Sequence, residues 1–124
     1  EIARSLPRDV EAVVVLTGMP SWMRDPRRWT AGDPRRTFVE RWVQPVVARY
    51  RRNKRLRAFQ IWNEPNDPNN PDNELLGMSR DPAAYVDLLD AAYGSMKARA
   101  PRKRVVSAAT TAIAQNFPET LAYN

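Results

Sequence analysis

The sequence predicts an α/β fold with the element order β-α-β-α-β and parallel strands. Three short apolar segments alternate with two longer segments in which apolar residues recur every three or four positions. Each longer segment opens with Asp-Pro, where the Asp can cap a helix and the Pro can take its first position. Alternation of this kind favours a parallel sheet joined by right-handed crossovers.

The strands are expected at residues 10–16, 57–62 and 103–109. The first contains four consecutive apolar residues, as is typical of a parallel strand covered on both faces. The second should stop before Pro65, because a proline has no N–H to donate to a sheet ladder. The third is carried by the pair Val105-Val106.

Two helices connect these strands. The first begins at Asp33-Pro34, and Pro45 is expected to kink it. The second begins at Asp81-Pro82 and closes before Pro101. A last helix is expected to begin near Phe117. The apolar stripes of the two main helices are Phe38, Trp42, Val46 and Tyr50, and then Tyr85, Leu88, Leu89, Ala92, Tyr93 and Met96.

The chain has 124 residues and a formal charge of +6, with 17 Arg and 3 Lys. Its cations are spread out except for a cluster after the first helix, where positive charge favours the helix dipole. That explanation outweighs a nucleic-acid site, since only one aromatic residue interrupts the cluster, and no nucleic-acid partner is expected. The cluster is Arg49, Arg51, Arg52, Lys54, Arg55 and Arg57.

The absence of both cysteine and histidine excludes thiol and histidine catalysis and the metal sites built from those residues. The Asp67 to Asp72 loop lacks the spacing of a calcium loop, so no metal is expected. No glycine-rich phosphate loop is present. No apolar run of about 18 residues occurs, so no membrane partner is expected. No signal-peptide pattern is visible, and localisation stays unassigned.

The run from Phe59 to Asn66 is the strongest functional signal. An apolar, β-leaning segment leads directly to Asn63, Glu64 and Pro65. This order places Asn63 and Glu64 at the carboxyl end of the second strand. In parallel α/β folds that end of the sheet carries the chemistry.

This run resembles the Asn-Glu-Pro signature of the retaining glycoside hydrolases of clan A, and it is similar to family 39 or family 5. Met19-Pro20-Ser21-Trp22 resembles the Pro-x-Trp after the third barrel strand of those enzymes. The resemblance implies a partial (β/α)8 TIM barrel. Residues 1–124 would be the central fragment of its catalytic domain, covering roughly strands three to five, since a whole barrel needs ~250 residues.

The resemblance also implies roles for residues. Glu64 would be the general acid/base, and Asn63 would bond the 2-hydroxyl of a carbohydrate substrate. Trp62 and Trp22 are candidate sugar contacts, although either tryptophan can equally serve packing. No cofactor is implied. The second Glu, the nucleophile, has no counterpart here, so the chain is expected to be inactive alone and to need the remainder of the barrel or self-association.

Two other function classes stay open at this point. One is a non-catalytic carbohydrate-binding or structural α/β fragment that keeps Asn63 and the tryptophans without turnover. The other is a basic nucleic-acid-binding module, which would show salt-dependent DNA binding.

Overall fold

The computed structural model describes residues 5–112, which form a small α/β fold around one open sheet. Its strands are β1 (Ala12–Leu16), β2 (Leu56–Ile61) and β3 (Arg104–Ser107). All pairings are parallel and the spatial order is β1-β2-β3, so β2 is central. The predicted strands and their direction are confirmed. The helix expected near Phe117 lies outside the described residues.

The helices are α1 (Pro34–Phe38), α2 (Gln44–Tyr50), α3 (Pro71–Leu75) and α4 (Pro82–Arg99). Asp33 and Asp81 cap α1 and α4 through their carboxylates, as the Asp-Pro pairs predict. Helix α3 was missed because its segment reads as a polar loop. Asn70 caps it by accepting the Asp72 N–H, ahead of a proline at its first turn. None of the described helices has the length and apolar character to cross a membrane.

The irregularity expected at Pro45 takes the form of a π-helical turn, Val39–Val43, between α1 and α2. A proline in a regular helix leaves the carbonyl four residues earlier without its donor. The wider π register shifts the bonding pattern just before Pro45, so the helical path continues into α2.

The helices cover one face of the sheet, which we call the helix face. Phe59, Ile61 and Leu16 are buried there against helical residues, and Val14 and Val105 pack against the same core. The strand register places these side chains in common rows across the sheet. The helical residues of this core include Phe38, Val39, Val43, Val47, Ala84, Tyr85, Leu88, Ala92 and Met96.

The other face, which we call the bare face, has no covering layer among the described residues. Val13 is 54% exposed and Val15 is 45% exposed, and both lie in the alternate rows of β1. The expectation that β1 is buried on both faces is therefore wrong for the described residues, because the helices cover only one side.

Two apolar residues of helix α4, Val86 and Tyr93, are also exposed. They line a groove beside Val105 of the edge strand β3.

The phenol of Tyr85 joins the carboxyl ends of two strands. Its hydroxyl donates to the Ile61 carbonyl at 3.0 Å and accepts the Ala108 N–H at 2.5 Å. Ile61 ends β2, and Ala108 follows β3. One buried hydroxyl thus holds α4 against the edge of the sheet where the candidate site lies.

Replacing Tyr85 with Phe should destabilise the fold by about 1–2 kcal/mol, because buried backbone groups lose a partner without a change in packing volume. Urea denaturation measures this change. Tyr93→Phe is the matched control, since Tyr93 is exposed and its substitution should cost less than about 0.5 kcal/mol. Equal losses for both variants would contradict the assigned role of Tyr85.

The same residue gives the fold a pH dependence. Burial raises the pKa of the Tyr85 phenol, and the Ala108 N–H opposes this rise. The contribution of Tyr85 is full below its unfolded pKa of about 10 and is lost as the pH rises through the folded value. The stability gap between wild type and Tyr85→Phe should therefore stay constant up to about pH 9 and shrink as the pH rises above about 10. A gap that stays constant or grows over that upper range would contradict this account.

Candidate functional site

Backbone hydrogen bonds join the segments that follow the strands at the carboxyl edge of the sheet. The Trp62 N–H donates to the Leu16 carbonyl at 2.8 Å, and the Glu64 N–H donates to the Ala109 carbonyl at 3.0 Å. The segment after β2 is therefore held on both sides, by the end of β1 and by the chain after β3. These bonds fix the position of residues 62–66, a segment that we call the ledge.

The backbone reverses its course at this ledge. Trp62 has φ +70° and Glu64 has φ +46°, both in the left-handed region that bulky residues rarely adopt. Such a conformation costs about 1–2 kcal/mol per residue. The reversal ends β2. It also places adjacent residues in different environments: Trp62 is fully buried, whereas Asn63 and Glu64 are exposed to solvent.

The side-chain amide of Asn73 holds this reversal in place. Its Oδ1 accepts the Trp62 indole N–H at 2.7 Å. Its Nδ2 donates to the carbonyls of Glu64 and Asp67, each at 2.8 Å. Asn73 is itself fully buried, so these bonds form in a region where losing them costs the most.

Glu64 has an exposed carboxylate without a partner among residues 5–112. Each other glutamate in that range lies beside an arginine: Glu11 is 3.4 Å from Arg57, Glu40 is 2.8 Å from Arg36, and Glu74 is 3.2 Å from Arg80. In Glu64 the backbone is bound on both sides while the carboxylate stays available. A carboxylate so placed can exchange a proton with a bound molecule.

Asn63 lies beside Glu64 and is also exposed. The Gln60 amide donates to the Trp62 carbonyl at 2.9 Å and lies 3.4 Å from Asn63 Oδ1. The Gln60 side chain thus links the end of β2 to the exposed side-chain amide of Asn63. The nitrogen of Asn63 remains able to donate to a ligand hydroxyl.

The two candidate tryptophans lie in different environments. The Trp62 ring is fully buried and meets Phe38 edge-on, with ring centroids 5.2 Å apart, which favours its packing role over direct sugar contact. Trp22 is half-buried on the loop after β1, and the Arg41 guanidinium lies 5.0 Å from its ring centroid. Within residues 5–112 neither a hydrogen bond nor a ring contact joins Trp22 to Asn63 or Glu64.

Asp72 links the loops that follow β1 and β2. Its Oδ2 accepts the Met19 N–H at 2.9 Å, and its Oδ1 is 3.0 Å from the Arg24 guanidinium. Oδ1 is buried and lies close to the Arg24 guanidinium, but among the described residues it accepts no well-aligned hydrogen bond. Asp72 therefore serves to position the Met19 to Trp22 loop.

Sequence reasoning missed Asn73, Asp72 and Tyr85 as residues that shape the site. Asn73 and Asp72 sit in a segment rich in turn formers, where asparagine and aspartate are ordinary. The Asn70-Pro71 pair was the available signal, because it repeats the capping pattern of the other two helices. Within the described chain, no group of three or more acidic side chains is placed to hold a metal ion.

Comparisons of the chain with protein-family models, curated proteins and solved structures give no match.

Replacing Asn73 with Ala should destabilise the fold by about 2–4 kcal/mol, because the Trp62 indole N–H loses its partner in the core and two carbonyls lose a donor. Urea denaturation followed by tryptophan fluorescence measures this loss. Asn69→Ala is the control, since Asn69 is exposed and, within residues 5–112, bonds only to Asp67. A loss for Asn73→Ala no larger than the control's would refute the assigned role of Asn73.

Proposed function

We propose that this chain is the central part of a (β/α)8-barrel catalytic domain of a retaining O-glycoside hydrolase, with Glu64 as its general acid/base. The observation that carries the proposal is the Glu64 carboxylate, exposed and unpaired within the described residues at the carboxyl end of the central strand. Active sites of (β/α)8 enzymes lie at that end of their strands. The resemblance of residues 59–66 to clan A enzymes supplies the reaction class.

In this mechanism Glu64 donates a proton to the glycosidic oxygen while a second carboxylate attacks the anomeric carbon. Glu64 then removes a proton from the water that releases the sugar. The second carboxylate must come from outside this chain, at about 5–5.5 Å from Glu64. Asn63 would donate to a sugar hydroxyl beside the reacting carbon, which strengthens binding as charge develops there.

The bare face supports the barrel interpretation. In a (β/α)8 barrel the helices lie outside, and branched apolar side chains fill the interior. Val13, Val15 and Val106 occupy the face without helices, and Val13 and Val15 are largely exposed. Further strands closing over this face would bury them and would also pair the open edges of β1 and β3.

The described residues do not enclose Glu64 with aromatic groups, and its side chain is exposed. Trp62 is fully buried, so its ring is withdrawn from solvent and does not cover Glu64. In the proposed barrel, loops from the other strands would exclude water from Glu64. Without them the chain holds half of a catalytic pair, and it is expected to be inactive alone.

The second candidate function is sugar binding without turnover. It is favoured by the half-buried Trp22 ring, which lies at the same end of the sheet as Asn63. Aromatic rings stack on the apolar faces of sugars, and the Arg41 contact fixes the orientation of this ring. On this account, Trp22→Ala would weaken sugar binding, and Glu64→Gln would leave it unchanged.

In the complete barrel, Glu64→Gln should lower kcat/KM for phenyl β-glycosides by about 10²–10⁴-fold, because the leaving phenol needs a proton. The first step with dinitrophenyl β-glycosides should be far less affected, since that leaving group departs without one. Initial rates with both substrates, and the pre-steady-state burst, measure this contrast. Glu74→Gln, which removes an exposed glutamate paired with Arg80, is the control.

Equal rate losses with both leaving groups would mean that Glu64 is not the proton donor. Unchanged rates with both substrates would overturn the catalytic proposal. Sugar binding with no turnover in the complete protein would favour the second candidate.

The isolated 124-residue chain should self-associate, because its bare face and open strand edges are uncovered. Sedimentation velocity over a concentration series measures this. Val13→Lys/Val15→Lys should shift the distribution toward monomer, whereas Ser5→Lys/Arg8→Lys, at exposed positions before β1, should not. A monodisperse wild-type monomer with a cooperative thermal melt would count against an incomplete barrel.

A further inference from the structure

A concavity at the amino end of the sheet concentrates positive charge. It lies at the starts of β2 and β3, the opposite end from Glu64, and has a volume of about 720 Å³, within the ~300–1,000 Å³ usual for small-ligand sites. We call it the basic basin. Its lining residues are Arg51, Arg52, Asn53, Lys54, Arg57, Arg102, Lys103 and Arg104.

The basic basin has almost no compensating negative charge. Among residues 5–112 its lining contains seven cations and no acidic residue. Among residues 5–112, Arg57 is the one lining cation that forms an ion pair, with Glu11 at 3.4 Å. Other surface arginines of the chain, such as Arg36 and Arg80, do have carboxylate partners. The basin therefore keeps a positive potential toward solvent.

Helix dipoles explain only part of this charge. Helices α2 and α4 both end next to the basin, at Tyr50 and Arg99, and cations stabilise such ends. Each helix end carries roughly half an elementary negative charge. Two helix ends are thus far short of balancing seven cations from three separate segments of chain.

Lys103 fixes the floor of the basin. It is only 7% exposed, and its ammonium donates to the carbonyls of Asn53 and Leu56. These bonds tie the segment before β3 to the segment before β2, so the cations of both segments face one space. Burial, together with the nearby Arg57, lowers the pKa of Lys103. An anion in the basin would offset the repulsion from Arg57.

The lining indicates the chemistry of a ligand. In the part of the chain that the structure describes, it contains no aromatic or apolar side chain that could stack on a base or pack on a sugar ring. Five arginines present planar forks that match phosphate oxygens. Their convergence on one concavity, rather than along a line, suits a short ligand with dense charge more than an extended polymer.

We propose that the basic basin binds a compact oligophosphate, a linear run of a few phosphates that is either free or the tail of a nucleotide. Binding uses charge-assisted hydrogen bonds from arginine and lysine and makes no contact with a base. This site is separate from the Glu64 site and does not depend on the glycosidase proposal.

Calorimetric titration of the 124-residue chain with sodium tripolyphosphate in 150 mM salt, a concentration that screens exposed charges beyond about 8 Å, tests the proposal. Tripolyphosphate and ATP should bind with similar affinity, and orthophosphate more weakly. Arg52→Gln/Arg102→Gln should weaken tripolyphosphate binding by about tenfold or more. Both residues are exposed, so the variant should fold, and its circular dichroism melt verifies this.

Arg27→Gln/Arg80→Gln is the control, because it removes the same charge at two exposed positions outside the basin. Equal weakening by both variants would show a net-charge effect and overturn the site. No tripolyphosphate binding, or a clear preference for ATP over tripolyphosphate, would overturn it as well. Tighter binding of a DNA duplex than of tripolyphosphate would assign the basin to nucleic acid instead.

Discussion

The side-chain amide of Asn73 is the constraint on which the candidate site depends. It bonds the indole of Trp62 and the carbonyl of Glu64, two residues whose backbone lies in the left-handed region. That conformation is unfavourable for both residue types, so it persists only where the surroundings determine it. The buried amide, together with the backbone bonds to Leu16 and Ala109, supplies that determination.

The reversal connects the core to the candidate chemistry. Trp62 contributes its ring to the packing against Phe38, and two residues later Glu64 emerges into solvent with its carboxylate unpaired within the described residues. Tyr85 and Asp72 hold the neighbouring segments at the same edge of the sheet. The basic basin lies at the opposite, amino end of the strands. One small sheet therefore presents an acidic group at one end and concentrated positive charge at the other.

Local patterns predicted the strands, their parallel direction and two of the helices, because Asp-Pro caps and apolar periodicity act over a few residues. Position at the end of β2 likewise predicted that Asn63 and Glu64 would lie at the carboxyl end of the sheet. The left-handed backbone and the burial of Trp62 could not be predicted, because they depend on Asn73, eleven positions along the chain. The exposure of Val13 followed from where the helices lie, which no pattern within β1 records.

Hydrogen exchange of the tryptophan indole N–H groups, followed by NMR, tests the central claim most directly. We expect the Trp62 indole proton to exchange orders of magnitude more slowly than that of half-buried Trp22, because Asn73 accepts it in the core. Asn73→Ala should abolish that protection. A Trp62 proton that exchanges as fast as that of Trp22 in the wild-type chain would contradict the account, since the reversal that presents Glu64 would then lack its anchor.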